Sequence, residues 1–410
     1  MNQGSDNATG HIGRNSEFKM GKWDLVEIKN IASINEKALS AKTASDFEFT
    51  YLDLSCIDKG RISWPKMKVQ FGTAPSRAQR VVRKNDIMMA MVRPNLQAFA
   101  FIENEPMNVV CSTGFALLSP NKNVVPKYLY QILYSSIVTQ QIESLITGSN
   151  YPAMNSEEVG KIKIPFPPLP EQRKIAEILS CWDRAIENIN NNVQKLKSVK
   201  KTLQSSLVSG CLRFSQFSFK WKEYHLKDFL ISTSYPVSKP SKSYTALSIR
   251  CHGKGTFTRQ VDDPLSVDME TLFQVRKGEL IVNITFAWEG AIAIVKETDV
   301  GAFVSHRFPT FKFNENIINP DFFSQVILTK RFVKLLGDVS PGGAGRNRVL
   351  NKKSFLELKW ILPSIDEQKH IALMLKNAEK EILLSENLLG QIKKQKTGLL
   401  SGLLSGKTSR

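Results

Sequence analysis

A block of forty residues occurs twice in this chain, 196 positions apart and without a gap. Residues 171–210 open EQRKIAEILSCWDRAI and close LQSSLVSG; residues 367–406 open EQKHIALMLKNAEKEI and close LLSGLLSG. Glu171, Gln172, Ala176, Lys197 and Lys200 return as Glu367, Gln368, Ala372, Lys393 and Lys396. A period this long exceeds any solenoid unit and implies a duplicated domain, hence a molecule with an approximate two-fold character.

The repeated blocks read as long helices. Apolar residues fall at Ile175, Leu179, Trp182, Ile186, Ile189, Val193, Leu196, Leu203 and Leu207, an alternating four–three spacing. The second copy gives Ile371, Leu375, Ala378, Ile382, Leu389, Ile392, Leu399 and Leu403 in the same register. That is the seam of a coiled coil rather than the wider face of a globular helix. Prolines 167, 168 and 170 mark one entry and Pro363 the other; Gly210 and Gly406 mark the exits. About 38 residues at 1.5 Å each make a rod of roughly 57 Å. Lys200 and Lys396 interrupt the seam. The preferred reading is that their ammonium groups snorkel out of it; the alternative is that they fix register.

Between the helices lie two diverged copies of one domain. Trp23 and Lys29 match Trp221 and Lys227, VRKNDIMMAMV (82–92) matches VRKGELIVNIT (275–285), and Pro126 with Gln131 matches Pro320 with Gln325. Short β-branched runs broken by Gly, Asn and Pro precede a helical stretch in each (Tyr128–Leu145; Asp321–Leu336), which predicts an α+β domain with a curved or barrel-like sheet. The order is a polar leader (1–20), a first α+β domain (21–167), a central helix (168–210), a second α+β domain (211–365) and a C-terminal helix (366–410). The leader reads as disordered or as an added tail, with Met20 an alternative start.

The 410 residues carry 56 basic against 38 acidic groups, a net charge of +18 that favours a polyanionic partner. Membrane insertion is disfavoured, because apolar runs such as Ile87–Val92 and the broken Leu280–Val295 fall short of the roughly 18–20 residues a span needs. Five scattered cysteines fit a reducing cytosol, and Cys251-His252 lacks further ligands at metal spacing, so no metal site is expected. No methyltransferase, nuclease or nucleophile motif is present, and no catalytic residue is assigned. The terminal GLLSGKTSR imitates a phosphate loop, but Gly402 and Gly406 are one residue too close and no preceding strand is expected.

Positive charge clusters in both domain copies. Residues 59–93 include Arg61, Lys66, Lys68, Arg77, Arg80 and Arg93, with only Asp86 opposing, and Asn95 follows. The second copy offers Arg250, Lys254 and Arg259, then Arg307, then Arg346 and Arg348 in the loop SPGGAGRNR (340–348). Such a loop suits backbone approach to phosphates, with the two arginines able to fork onto guanine edges. The corresponding loop TGSNYPAMN (147–155) presents Asn150, Tyr151 and Asn155 instead. If both loops read bases, they read different ones.

LPEQRKIAEIL (169–179), its echo IDEQKHIALML (365–375) and the Leu-Ser-Gly helix ends resemble the conserved helical regions of the specificity subunit of type I restriction–modification systems. The likeness runs from about Trp23 to the C-terminus; the 20-residue leader departs from it, as do Ala378 and Ser385 opposite Trp182 and Ile189. The resemblance implies two target recognition domains, each docking on one half of a split, asymmetric double-stranded DNA site. It implies an antiparallel coiled coil that holds them apart and sets the unread spacer. It further implies a cytoplasmic, non-catalytic adaptor that docks two methyltransferase subunits and two restriction/motor subunits, with S-adenosylmethionine, ATP and Mg belonging to those partners. An apolar stripe off the seam (Ile178, Val199, Leu384, Leu388) suits the methyltransferase. The alternatives are the specificity subunit of a type IIB-like enzyme that cuts on both sides, and a basic coiled-coil scaffold without sequence preference; an RNA-binding module ranks last for want of stacking aromatics in a single-strand motif.

Overall fold

A computed structural model describes residues 23–104, 106–146, 152–342 and 348–405. The chain divides into two compact units, each assembled from separate stretches of sequence: residues 1–190 with 387–410, and residues 191–386. The central helix runs Leu169–Ser209 and the C-terminal helix Ile365–Leu404. Each unit therefore contains one α+β domain, the leading half of the helix that follows it, and the trailing half of the other helix.

Local chemistry sets the helix ends. Glu171 N–H bonds the carbonyl of Pro168, so the prolines sit where the helix has no amide to lose. Ser364 Oγ accepts from Glu367 N as an N-cap, with Asp366 and Glu367 in the first turn at the positive pole of the dipole. Gly210 ends the central helix at φ +76°, and a Cβ there would press on the Trp221 ring. Only glycine satisfies both constraints.

In the first unit, strands Ala32–Ile34, Phe115–Pro120, Ile87–Ala90 and Phe99–Phe101 pair antiparallel in that order. A second sheet orders Val69–Gln70, Glu48–Leu52, Val109–Ser112 and Ala78–Val81, its central pair parallel. The second unit repeats the plan. Leu230–Thr233, Thr310–Phe313, Leu280–Val282 and Ile292–Ile294 form one sheet; a five-stranded sheet contains Tyr244–Ile249 paired with Thr256–Val261. Where the sequence suggested a single curved sheet, the chain makes two, and it changes sheet just after a register shift at Cys111/Ser112.

The apolar strands are continuous because both faces are covered. Ile87 and Met89 join the cluster that faces the helices, whereas Met88 and Ala90 join the one between the sheets. Leu280 and Val282 against Ile281 divide in the same way. Each helical stretch read from the sequence is broken in two, Pro126–Ile132 then Ser136–Leu145, and Pro320–Val326 then Lys330–Asp338. Ser135 and Thr329 cap the second pieces with their hydroxyls, accepting from Val138 N and Phe332 N.

The long helices are built into these cores. Ile175, Ala176 and Leu179 of the central helix share the first unit's core with Leu400 and Leu404. Ile371, Ala372 and Leu375 share the second unit's core with Leu207 and Val208. Trp182, Ile186, Leu196, Leu203, Ile382, Ile392 and Leu399 are half-buried along the seam. In the second unit Lys200 reaches Glu379 and Lys197 reaches Glu386, so the two helices run antiparallel there.

Candidate nucleic-acid interface

Two polar devices, each present in both units, hold the α+β domain to the helices. Gln172 is fully buried; its Oε1 accepts from Val125 N at 2.8 Å and its Nε2 donates to Pro167 O at 2.8 Å. Gln368, equally buried, accepts from Asn319 N at 2.8 Å and donates to Ile317 O and Pro363 O at 2.9 and 3.0 Å. A buried amide needs its hydrogen bonds met, and here the backbone of the α+β domain meets them. The glutamine of the repeated Glu-Gln pair is thus a latch between helix head and domain.

The seam lysines do not snorkel. Lys396 Nζ lies 2.6 Å from Asp183 Oδ1, and Lys200 Nζ lies 2.9 Å from Glu379 Oε1. Their side chains are only 17% and 16% exposed, held inward by the acid on the opposing helix. Gln131 donates to Asp183 and Gln325 to Glu379, which adds the domain to each ion pair. Since Asp183 and Glu379 are also 196 positions apart, these are two copies of one Gln–acid–Lys triad. A polar group in an apolar seam that finds a partner at one register only is a register device.

On this frame several of the candidate residues stand at strand ends. Strand Ile87–Ala90 leads into a one-turn helix, Pro94–Leu96, flanked by Arg93 and Gln97 at φ +49° and +55°. Arg93 N bonds Pro152 O and Met154 N bonds Met91 O, so residues 152–154 lie against this turn. In the second unit, strand Leu280–Val282 leads into the turn Ala287–Glu289, which ends on Gly290 at φ +77°. Ile284 N bonds Arg307 O and Leu350 N bonds Ile284 O, which brings the 305–308 turn and Leu350 to one place. Left-handed residues other than glycine cost about 1–2 kcal/mol and gather at functional sites.

The candidate residues separate into three sets. Arg61, Lys66, Lys68, Arg77, Arg93, Asn95, Lys254, Arg259 and Arg307 are exposed. Asn150, Tyr151 and Arg346 lie outside the described residues. The third set has structural work. Asn155 caps the helix Ser156–Lys161 in a reciprocal box with Glu158, which engages its side-chain Oδ1. Arg348 is anchored too: its Nε and Nη2 donate to the carbonyls of Ser340 and Gly337, and its guanidinium lies 5.4 Å from the Trp288 ring centroid. It closes the C-terminal end of the Lys330–Asp338 helix. Arg250 is exposed but stacks on Phe257 and donates to Thr256 O. Arg80 is half-buried on its strand beside Cys111, and burial lowers its pKa while that of Cys111 is pushed up to about 12.

Sequence reasoning missed Gln97, which donates to Thr139 and so ties the first strand-end turn to the Ser136–Leu145 helix. The cleft around Cys251-His252 was also missed; it is an open space of about 510 Å³ lined by Arg250, His252, Lys254, Asn283 and Phe286 among others. No group of three metal-ligating residues exists among the described residues, and no described helix is long and apolar enough to cross a membrane.

Known proteins give the same picture. The family model for the type I restriction modification DNA specificity domain matches twice, over residues 20–198 and 220–394. A putative type I restriction enzyme MjaX specificity subunit of Methanocaldococcus jannaschii is 24% identical, with 94% of this chain and 93% of that one covered. The MjaVIII specificity subunit of the same organism is 26% identical over 80% of each chain. Among solved structures, a chain from work on complex assembly and conformational transition of the type I R-M system aligns with a TM-score of 0.62 at 17% identity, covering 94% and 99%. The type I S subunit of M. genitalium aligns at 0.53 and 15% identity, covering 95% and 97%. At such identities the structures speak for the fold, and the two domain matches speak for descent. The two matched domains, each latched to its helix by the glutamine of the repeat, place this chain in the family of type I restriction–modification DNA specificity subunits.

Proposed function

We propose that each unit reads one half of a split, asymmetric DNA sequence, and that the paired helices set the unread spacer. The observation that carries this reading is the contrast between frame and surface. The latch and the triad are the same in both units, whereas the exposed strand ends differ: Arg93 and Asn95 stand in one, Phe286 and Arg307 in the other. A duplicated frame with unlike readers suits two half-sites of unlike sequence. The chain has no chemistry of its own in this reading. Two methyltransferase subunits supply S-adenosylmethionine and the transfer of a methyl group to adenine; two restriction/motor subunits supply ATP- and Mg-dependent cleavage, in the cytoplasm.

Apolar exposure on the C-terminal helix supports a protein partner. Within the second unit Leu373, Leu383 and Leu384 are 59%, 57% and 59% exposed, with Val199 of the central helix 55% exposed. Leu373 and Leu384, 11 positions apart, fall on one side of the helix, and an apolar face left exposed suits a protein partner. This face is assigned to a methyltransferase subunit.

Co-expression of the chain with its methyltransferase, followed by methylome sequencing, tests the reading. The expected motif is bipartite, with N6-methyladenine on opposite strands in the two halves. A continuous palindrome, or no motif, would refute it.

A further inference from the structure

A turn that carries one already named cation in each unit, Arg61 and Lys254, recurs in both. At an offset of 193, which also relates VRKNDIMMAMV to VRKGELIVNIT, Lys59-Gly60-Arg61 corresponds to His252-Gly253-Lys254. The backbone agrees. Lys59 and Gly60 have φ +41° and +91°; His252 and Gly253 have φ +61° and +66°. In one unit the two consecutive left-handed residues close the Ile57–Asp58/Arg61–Ile62 hairpin. In the other they lie within the loop that joins the paired strands Tyr244–Ile249 and Thr256–Val261.

The glycines are seated against the same place in the fold. A Cβ on Gly60 would collide with the Tyr130 hydroxyl and lie near that of Tyr134, and one on Gly253 would collide with a Leu328 methyl. Leu328 corresponds to Tyr134 at the offset of 194 that relates Pro126 to Pro320. Each turn is therefore pinned at its glycine, while the basic residues on either side stay exposed. In the second unit His252 N bonds Glu289 O and Gly253 N bonds Gly290 O, which joins the turn to the strand-end turn beside Arg307. Neither lysine nor histidine relieves the strain of a left-handed position as Gly or Asn would. Strained positions gather at functional sites, and here each carries a polar side chain one glycine away from an exposed Arg61 or Lys254.

We propose that Lys59-Gly60-Arg61 and His252-Gly253-Lys254 are equivalent clamps on the phosphate backbone of duplex DNA, one for each half-site. The proposal rests on the split-site reading and adds a division of labour to it: the turns position and the strand ends specify. Backbone contacts are indifferent to sequence, which explains why these turns kept their character while the neighbouring loops diverged.

The test uses the full chain with its methyltransferase, and duplexes that carry either the methylated motif or a scramble of one half. Lys59→Ala/Arg61→Ala and His252→Ala/Lys254→Ala are compared with wild type for affinity over a range of salt. Each lost phosphate contact should make the slope of log K against log[salt] shallower by about 0.9. The weakening should be the same on motif and scrambled duplexes, with the thermal midpoint unchanged because the side chains are exposed. An unchanged slope in both variants, or a loss confined to one base position, would overturn the clamp. A wild-type complex with no motif at all would instead overturn the split-site reading beneath it.

Discussion

Arg348 shows how a residue suited to one task can be committed to another. The sequence placed it in a glycine-rich basic loop, where an arginine that forks onto guanine is a natural expectation. In the structure it donates to Gly337 O and Ser340 O and lies against Trp288. Arg348→Ala would leave Ser340 O without its donor, while Gly337 O keeps that from Ser340 N, at a cost of about 1–3 kcal/mol. Urea unfolding should show that loss, and the methylated motif should keep its sequence. A relaxed base in one half-site with unchanged stability would return Arg348 to the reading set. Asn155 was easier to foresee: Asn-Ser-Glu-Glu is a capping-box pattern, and Glu158 completes it. The Arg348 contacts left no such trace, because they depend on how the chain folds back between Gly337 and Trp288.

At the scale of elements, periodicity carried most of the information. Four–three spacing located both long helices and their seam, because a seam is a local property of sequence. The partners of Lys200 and Lys396 were not local. Lys396 finds Asp183 213 positions away, so spacing alone could not distinguish a snorkelling lysine from a paired one. Likewise the Glu-Gln repeat was visible as a motif, but its role depends on backbone groups such as Val125 N and Asn319 N in the preceding domain. The two devices should differ in strength. Gln172→Ala strands a buried amide and a buried carbonyl, costing about 1–3 kcal/mol. Asp183→Ala breaks a pair whose acid is 43% exposed, so water screens much of its worth and about 1 kcal/mol is expected. Gln368→Ala and Glu379→Ala should reproduce the same order in the second unit. Denaturant unfolding of the four variants checks both the order and the equivalence; a triad variant costing more than its latch variant would show that the coil, not the domain contact, dominates.

For the whole molecule, the decisive quantity is the balance between charge and reading. A net charge of +18 draws any duplex, and a basic scaffold without sequence preference would bind through that attraction alone. Its affinity would fall with salt by the same factor on every sequence. A specificity subunit adds contacts to base edges, which carry no counterion release and so survive salt. If six to ten phosphates are engaged, raising salt from 50 to 200 mM should weaken binding to unrelated DNA by about 10³–10⁵-fold. Binding to the chain's own motif should fall along a parallel line displaced to higher affinity, so the ratio between the two persists across the range. Fluorescence anisotropy with the methyltransferase complex on motif and scrambled duplexes measures both lines. Coincident lines would make this chain a scaffold that happens to be basic; parallel, separated lines identify the unlike strand ends, rather than the shared charge, as the source of its specificity.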